Sequence, residues 1–109
     1  MQGVIESYQD LEKIINNEKA FVLYITDGKC NVGESITPKL EKILSERFPK
    51  IKLYYVYTSL TPEIAAELSV FVIPTVLVYF DGKMYIQKSR SFSLQELQNE
   101  IDRYYQLLF

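Results

Sequence analysis

The sequence predicts an α/β protein whose central mixed β-sheet of about five strands is flanked by four helices, in the order β-α-β-α-β-α-β-β-α. Short apolar runs rich in β-forming residues alternate with segments of helical spacing, which is typical of parallel strands joined by helices. The pair Asp81-Gly82 lies between two such runs and is a strong hairpin signal. The hairpin adds antiparallel strands at one edge of the sheet.

The first elements are a short strand and a helix, followed by a long apolar run. We predict the strand within residues 3–7 and a helix capped by Ser7, with Asp10 three residues later in a variant of the capping box. The run AFVLYIT at 20–26 contains no polar residue before its last position. Such a run suits a strand that is buried on both faces.

A second helix is predicted after Cys30 and ends at Pro49, and a strand follows at 51–58. Pro38 should kink this helix, because proline removes a backbone donor and crowds the preceding turn. The apolar stripe of the helix consists of Ile36, Leu40, Ile43, Leu44 and Phe48.

The second half of the chain carries two further helix starts. Thr61 is a plausible cap with Pro62 as the first helical residue, and Ser93 with Glu96 forms a capping box for the final helix. The strands on either side of the Asp-Gly turn are predicted at 74–80 and 83–89.

Composition bounds the class of protein and excludes several kinds of site. A chain of 109 residues fits one domain, which we take as residues 1–109, and 48% hydrophobic with 24% charged residues is typical of a soluble globular protein. The net charge of −2 without a basic stripe argues against a nucleic-acid partner. One cysteine and no histidine exclude a Cys–His nucleophilic pair and a tetrahedral zinc site. We therefore expect no metal and no cofactor.

The sequence also predicts a cytoplasmic protein without a membrane partner. The first ten residues lack the basic region and the apolar core of a signal peptide. The longest apolar stretch, at 70–80, contains Pro74 and is too short to cross a bilayer. A single cysteine forms no internal disulfide, which fits a reducing compartment.

This element order, with a cysteine just after the second strand and Ile-Pro-Thr just before a later strand, resembles the thioredoxin family over essentially the whole chain. Cys30 and Pro38 have the separation of the first motif cysteine and the helix proline of that family, and Gly82 matches its hairpin glycine. Ile73-Pro74-Thr75 matches the family's Ile-Pro-Thr. The resemblance implies a thioredoxin-like fold and a cis Ile73–Pro74 bond that faces the cysteine motif.

The chain departs from the family at six positions around the motif. Gly33 stands where the second motif cysteine would be, so the usual Cys-x-x-Cys pair is a single-cysteine Cys-x-x-Gly variant. The other departures are Lys29 for an aromatic residue, Thr26 for tryptophan, Tyr24 for a buried aspartate, Tyr55 for its lysine partner and Arg90 for a glycine.

Cys30 is the candidate nucleophile. A cysteine in the first turn of a helix faces unpaired backbone N–H groups, which favour the thiolate over the thiol. The stabilising groups would be the flanking Lys29 and the backbone amides of Asn31, Val32 and Gly33. Ile73, Pro74 and Thr75 would form the substrate-facing loop, where an extended peptide adds as a short strand.

The sequence is compatible with three functions. The first is monothiol thiol–disulfide exchange in redox homeostasis, with protein thiols or disulfides or a low-molecular-weight thiol as partners and an external thiol that resolves the mixed disulfide. The second is a non-catalytic binding module that uses the groove beside Pro74 or a tyrosine-rich surface. The third is a redox sensor in which two Cys30 residues join two chains.

We expect a monomer or a weak homodimer. Most of the nine tyrosines should lie in the core or at its edge, with a hydroxyl that reaches solvent or a partner. An aromatic patch around Tyr104, Leu108 and Phe109 is the candidate surface for a homodimer or a protein partner.

Overall fold

The computed structural model describes residues 3–27, 37–89 and 92–109. Its elements follow the predicted order. They are β1 (Gly3–Val4), α1 (Tyr8–Asn17), β2 (Ala20–Thr26), α2 (Thr37–Arg47), β3 (Lys52–Tyr57), α3 (Pro62–Glu67), β4 (Thr75–Phe80), β5 (Lys83–Ser89) and α4 (Leu94–Leu108).

The five strands form one mixed sheet in the order β1-β3-β2-β4-β5. Strands β1, β3 and β2 are parallel, β4 runs antiparallel to β2, and β5 runs antiparallel to β4. The predicted mixed sheet of five strands with four helices is therefore confirmed for the described part of the chain. The hairpin supplies both strands beyond β2, as the Asp-Gly signal indicates.

The sheet separates two apolar clusters, and β2 contributes to both. Val22 and Tyr24 pack with α2 and α4 on one face, whereas Phe21, Leu23 and Ile25 pack with α1 and α3 on the other. All seven residues of β2 are buried, as the apolar run predicts. Burying each large apolar side chain stabilises the fold by roughly 1.5–3 kcal/mol, so the central strand is the main packing surface of both layers.

Two of the three predicted helix caps are confirmed. The backbone N–H of Asp10 donates to Ser7 Oγ, and that of Glu96 donates to Ser93 Oγ, both at 3.1 Å. Thr61 occupies the N-cap position of α3, but its side chain makes no capping bond. Its hydroxyl instead donates to the carbonyl of Tyr57 at 3.4 Å, because the buried side chain turns back toward the end of β3.

Several elements differ from their predicted bounds, among them β3 and β4, which are shorter than predicted by one residue at one or both ends. Strand β1 spans Gly3–Val4 rather than residues 3–7, although the N–H of Ile5 still donates to the carbonyl of Tyr55 at 2.8 Å. The described part of α2 begins at Thr37, one residue before Pro38. The kink predicted at that proline involves the preceding turn and lies outside the described residues.

The hairpin turn has the left-handed backbone that its sequence predicts. Asp81 and Gly82 have φ values of 53° and 79°. After the turn the pairing shifts by one residue, so that Met84 and Ile86 face Tyr79 and Val78 and leave Tyr85 as the extra residue of a bulge. Bulges re-aim side chains near a sheet edge. Here the Tyr85 ring lies against Phe80 and Tyr104, with centroids 6.1 and 5.0 Å away.

Candidate functional site

One end of the sheet brings together the segments to which the sequence assigns function. Ile25, near the end of β2, pairs with Val56 of β3 and with Thr75 of β4. Thr75 in turn pairs with Ser89, the last residue of β5. The carboxyl ends of β2 and β3, the start of β4 and the end of β5 therefore share one edge. The carboxyl ends of parallel strands are a common location for ligand sites.

The chain leaves β2 from a fixed point at this edge. The N–H of Thr58 donates to the carbonyl of Thr26 at 2.8 Å, and the hydroxyl of Ser59 donates to the carbonyl of Asp27 at 2.6 Å. These bonds tie the segment after β2 to the segment after β3. Asp27 is the last described residue before Cys30, and it follows the strand whose Ile25 pairs with Thr75 at the start of β4.

Ile73, Pro74 and Thr75 are the predicted loop residues that the structure describes. The Ile73–Pro74 peptide bond is cis. Thr75 is fully buried, and its hydroxyl bonds to the carbonyl of Val72 and to Ser89 Oγ. Ile73 is 39% exposed and forms part of the surface at this edge.

The other predicted site residues lie outside the described residues. These are Cys30 and the residues proposed to stabilise its thiolate, which are Lys29, Asn31, Val32 and Gly33. Their roles remain predictions. What the structure gives is the position of the chain immediately before them and of the loop predicted to face them.

Two tyrosines lie in the sheet below this edge. Tyr24 is fully buried and pairs with Tyr55 on the neighbouring strand, and their rings meet edge to face with centroids 6.1 Å apart. The hydroxyl of Tyr55 donates to a carboxylate oxygen of Glu41 on α2. Burial, and then the bond to this carboxylate, raise the pKa of Tyr55 well above its ordinary value. A phenol–carboxylate bond therefore joins α2 to the sheet at these positions.

Glu41 is a member of this arrangement that the sequence pattern does not predict. Its only signal is its place next to Leu40 in the apolar stripe of α2, which puts it at the boundary of the buried face. That signal does not show which strand residue it meets. Packing of α2 across β3 determines the contact with Tyr55.

Large apolar side chains are exposed beside the cis bond and after β3. Phe71 is 83% exposed and lies three residues before Pro74, and Leu60 is 69% exposed in the segment that follows β3. Together with Ile73 they place apolar surface in the segments that meet at the site edge. Exposed apolar surface is typical of contact surfaces for peptides or proteins.

The predicted aromatic patch at the end of α4 is partly covered by the protein itself. Lys19 and Lys50 place their Nζ atoms 4.7 and 5.5 Å from the centre of the Phe109 ring, and Lys19 also donates to the carbonyl of Leu108. A groove of about 230 Å³ remains beside Tyr104. It lies at the turn end of the β4–β5 hairpin, away from the edge that carries Pro74.

A family model for thioredoxin matches residues 4–103, which is nearly the whole chain. The chain belongs to the thioredoxin family. Membership agrees with the five-stranded sheet and with the resemblance found from Cys30, Pro38 and the Ile-Pro-Thr segment. It places the chain among proteins of thiol–disulfide redox function.

Similar proteins cover almost the full length of this thioredoxin-family chain. It is 29% identical to the thioredoxin-like protein YdfQ of Bacillus subtilis over 94% of this chain and 91% of that protein. It is 30% identical to a thioredoxin of Buchnera aphidicola, over 94% of this chain and 96% of that protein. The crystal structure of Fasciola hepatica thioredoxin superposes with a TM-score of 0.81 at 30% identity, over 94% of this chain and 98% of that one.

Two further findings concern the described part of this thioredoxin-family protein. Within residues 3–27, 37–89 and 92–109, no group of three or more His, Cys, Asp or Glu side chains is arranged to hold a metal ion. No helix in those ranges is both long enough and apolar enough to span a membrane.

Proposed function

We propose that the protein carries out thiol–disulfide exchange through Cys30 by a monothiol route in cell redox homeostasis. The observation that supports this most directly is the shared sheet edge. Asp27, three residues before Cys30, follows the end of β2, whose Ile25 pairs with Thr75 directly after Pro74. In this proposal Cys30 acts beside the Pro74 loop, and the backbone of that loop binds an extended peptide.

The exchange proceeds in balanced steps. The Cys30 thiolate attacks one sulfur of a substrate disulfide, so a Cys30–substrate bond forms, the substrate S–S bond breaks, and the leaving thiolate takes a proton from water. An external thiolate then attacks the Cys30 sulfur and releases the reduced substrate. A second external thiol frees Cys30 and leaves an external disulfide. Two external thiols are oxidised for each substrate disulfide that is reduced.

The external thiol is needed because Gly33 carries no sulfur. In a two-cysteine motif the second thiolate releases the mixed disulfide by internal attack. Here release depends on a second molecule, which is a low-molecular-weight thiol or a protein thiol. The thiolate of Cys30 is stabilised in this proposal by Lys29 and by the amides of Asn31, Val32 and Gly33.

Substrates are held by the loop of Ile73, Pro74 and Thr75, and the exposed side chains of Phe71 and Leu60 favour peptides with apolar residues near the reacting cysteine. The proposed partners are therefore protein disulfides. We propose that residues 1–109 act as one thioredoxin-like domain, as a monomer or weak homodimer. A reducing compartment, the cytoplasm, suits its single cysteine.

The test is to trap the mixed disulfide. The purified protein is mixed with a peptide disulfide and analysed by intact mass spectrometry, with Cys30→Ser as the control. We expect an adduct on the natural chain and none on Cys30→Ser, and we expect turnover only after a small thiol is added.

Gly33→Cys supplies a gain-of-function comparison. This variant should shorten the lifetime of the adduct at least about tenfold without added thiol, because internal attack replaces a bimolecular step. If the natural chain is folded by circular dichroism and forms no adduct, the proposed function is wrong.

The second candidate is a non-catalytic binding module, which the exposure of Phe71 and Leu60 favours. In that case Cys30→Ala should bind a peptide as tightly as the natural chain, and Phe71→Ser should weaken that binding. Adduct formation that is lost in Cys30→Ser decides for the exchange reaction instead.

A further inference from the structure

A chain of two side-chain hydroxyls runs from the end of β5 to the segment before Pro74. Ser89 Oγ lies 2.9 Å from Thr75 Oγ1, and Thr75 Oγ1 also bonds to the carbonyl oxygen of Val72. Ser89 and Thr75 are directly opposite each other in the antiparallel pair. Thr75 is fully buried, so its hydroxyl depends on these partners.

The direction of both hydrogen bonds follows from the number of protons. A threonine hydroxyl has one hydrogen to donate, and a carbonyl oxygen only accepts. The hydroxyl of Thr75 therefore donates to Val72, and it accepts from Ser89. Ser89 is thus the donor that completes the pair from the edge strand.

The hydroxyls of Thr75 and Ser89 hold the backbone of the segment that contains Ile73 and Pro74. Val72 and Thr75 are the two ends of the four-residue segment that contains Ile73 and Pro74, and the Thr75 hydroxyl closes it. Threonine has few side-chain rotamers, and a hydrogen bond from Ser89 favours the one that points at Val72. Loss of that donor leaves a buried oxygen with one bond fewer and loosens the Val72 carbonyl.

We propose that Ser89 is a positioning residue for peptide binding at Ile73–Pro74, acting through Thr75 and Val72. The inference rests on the proposed function, because it concerns how the same edge holds a disulfide substrate. Ser89 does not act on the sulfur chemistry. Ser89 affects the binding of substrates whose peptide chain bonds to the backbone of Ile73. A small disulfide without a peptide chain makes no such bonds, so its reaction does not depend on Ser89.

The test compares two substrates in the full chain. One is a short peptide with a single cysteine flanked by leucine, in a disulfide with a small aromatic thiol, and the other is the symmetric disulfide of that aromatic thiol. Ser89→Ala should lower kcat/KM for the peptide about tenfold, mainly through KM, since a small displacement of a binding edge has effects of this order. The rate with the small disulfide should stay within about twofold.

Two variants separate positioning from a general effect on folding. Ser45→Ala removes a serine hydroxyl that donates to the carbonyl of Lys42 on α2, and it should change neither rate. Ser89→Thr keeps the hydroxyl and should restore the peptide rate. Thr75→Val should have an effect at least as large as Ser89→Ala, and the double variant should be no worse than Thr75→Val alone, because the two hydroxyls act as one unit.

The inference is overturned if Ser89→Ala and the natural chain have equal kcat/KM for the peptide disulfide. It is also overturned if Ser89→Ala lowers kcat/KM equally for the peptide disulfide and for the small disulfide. A non-covalent measurement keeps this result separate from the proposed function. In a Cys30→Ser background, the affinity for the same peptide with serine in place of its cysteine should fall on adding Ser89→Ala. Unchanged affinity contradicts the role of Ser89, whereas an absence of adducts on the natural chain contradicts only the exchange reaction.

Discussion

Tyr24, Tyr55 and Glu41 show how single residues determine the character of the interior below the candidate site. At the positions where the resemblance to thioredoxins implies a carboxylate and an amine, this chain has two phenols. A neutral phenol avoids the large desolvation cost of a buried charge. The one carboxylate in the group, Glu41, is on α2 and accepts a hydrogen bond from the Tyr55 hydroxyl. A partly buried phenol–carboxylate bond, rather than an ion pair, therefore links α2 to the sheet here.

Tyr55→Phe should destabilise the protein by about 1.5 kcal/mol at neutral pH, the low end of the range for a hydrogen bond to a charged acceptor, because the pair is only partly buried. Burial and Glu41 raise the folded-state pKa of Tyr55, so its stabilising contribution is complete below the unfolded value of 10.0 and is lost as pH rises above it. Urea unfolding midpoints measured from neutral pH to about pH 11 should fall more steeply for the natural chain than for Tyr55→Phe.

Lys52, Tyr54, Tyr79 and Lys88 also have raised pKa values and contribute in the same direction, so some loss above pH 10 should remain in the variant. Tyr85→Phe is the control, since this side chain is about half exposed. If the Tyr55 and Tyr85 variants show the same pH dependence, the bond to Glu41 is not the cause.

Helix starts and the hairpin turn form as predicted where they depend on a residue's bonds to its own neighbouring backbone. Ser7 and Ser93 cap their helices as predicted, and the Asp81-Gly82 pair forms the turn. Thr61 is the exception among the predicted caps, because tertiary packing buries its side chain and directs its hydroxyl to the carbonyl of Tyr57. Local sequence predicts an element's start, but it does not show where a side chain turns once another element covers it.

Gly82→Ala should destabilise the hairpin by about 1–2 kcal/mol, which is the cost of a left-handed backbone at a residue with a Cβ. Gly82 has a φ of 79°, and the added Cβ would lie 3.4 Å from the carbonyl oxygen of Ile15, a distance that adds little steric cost. The measurement is the free energy of unfolding in urea.

Gly3→Ala is the matched control, because a Cβ there meets no atom within 4 Å. Its effect should stay within about 0.5 kcal/mol. Equal effects at the two glycines would show that the left-handed turn does not limit the stability of the hairpin.

On the scale of the whole molecule, the sequence predicted the number and type of the elements but not how they meet. Alternating apolar runs and helical stripes are local patterns, whereas the order β1-β3-β2-β4-β5 depends on which strands pair. The contact between Tyr55 and Glu41 and the bond between Thr75 and Ser89 join residues distant in sequence, so no periodicity reveals them. The loop at Pro74 follows from the resemblance to thioredoxins and not from a local pattern.

The shared edge is the property of the whole fold on which the proposed function rests. Strand pairing places the end of β2, the end of β3 and the start of β4 together, and hydrogen bonds from Thr58 and Ser59 hold the carbonyls of Thr26 and Asp27. Asp27 is the last described residue before Cys30. A reactive thiol at Cys30 would turn this edge into a site for disulfide exchange.

The most direct test of this account is the rate at which iodoacetamide alkylates Cys30 between about pH 4 and pH 9, compared with a model thiol whose pKa is about 8.5. Because the sequence contains one cysteine, all labelling reports on Cys30, and Cys30→Ser supplies the blank. If Cys30 is a stabilised nucleophile, it should be labelled rapidly at neutral pH, with a midpoint clearly below that of the model thiol. Slow labelling with a midpoint equal to or above that of the model thiol would show that Cys30 is not a reactive thiolate.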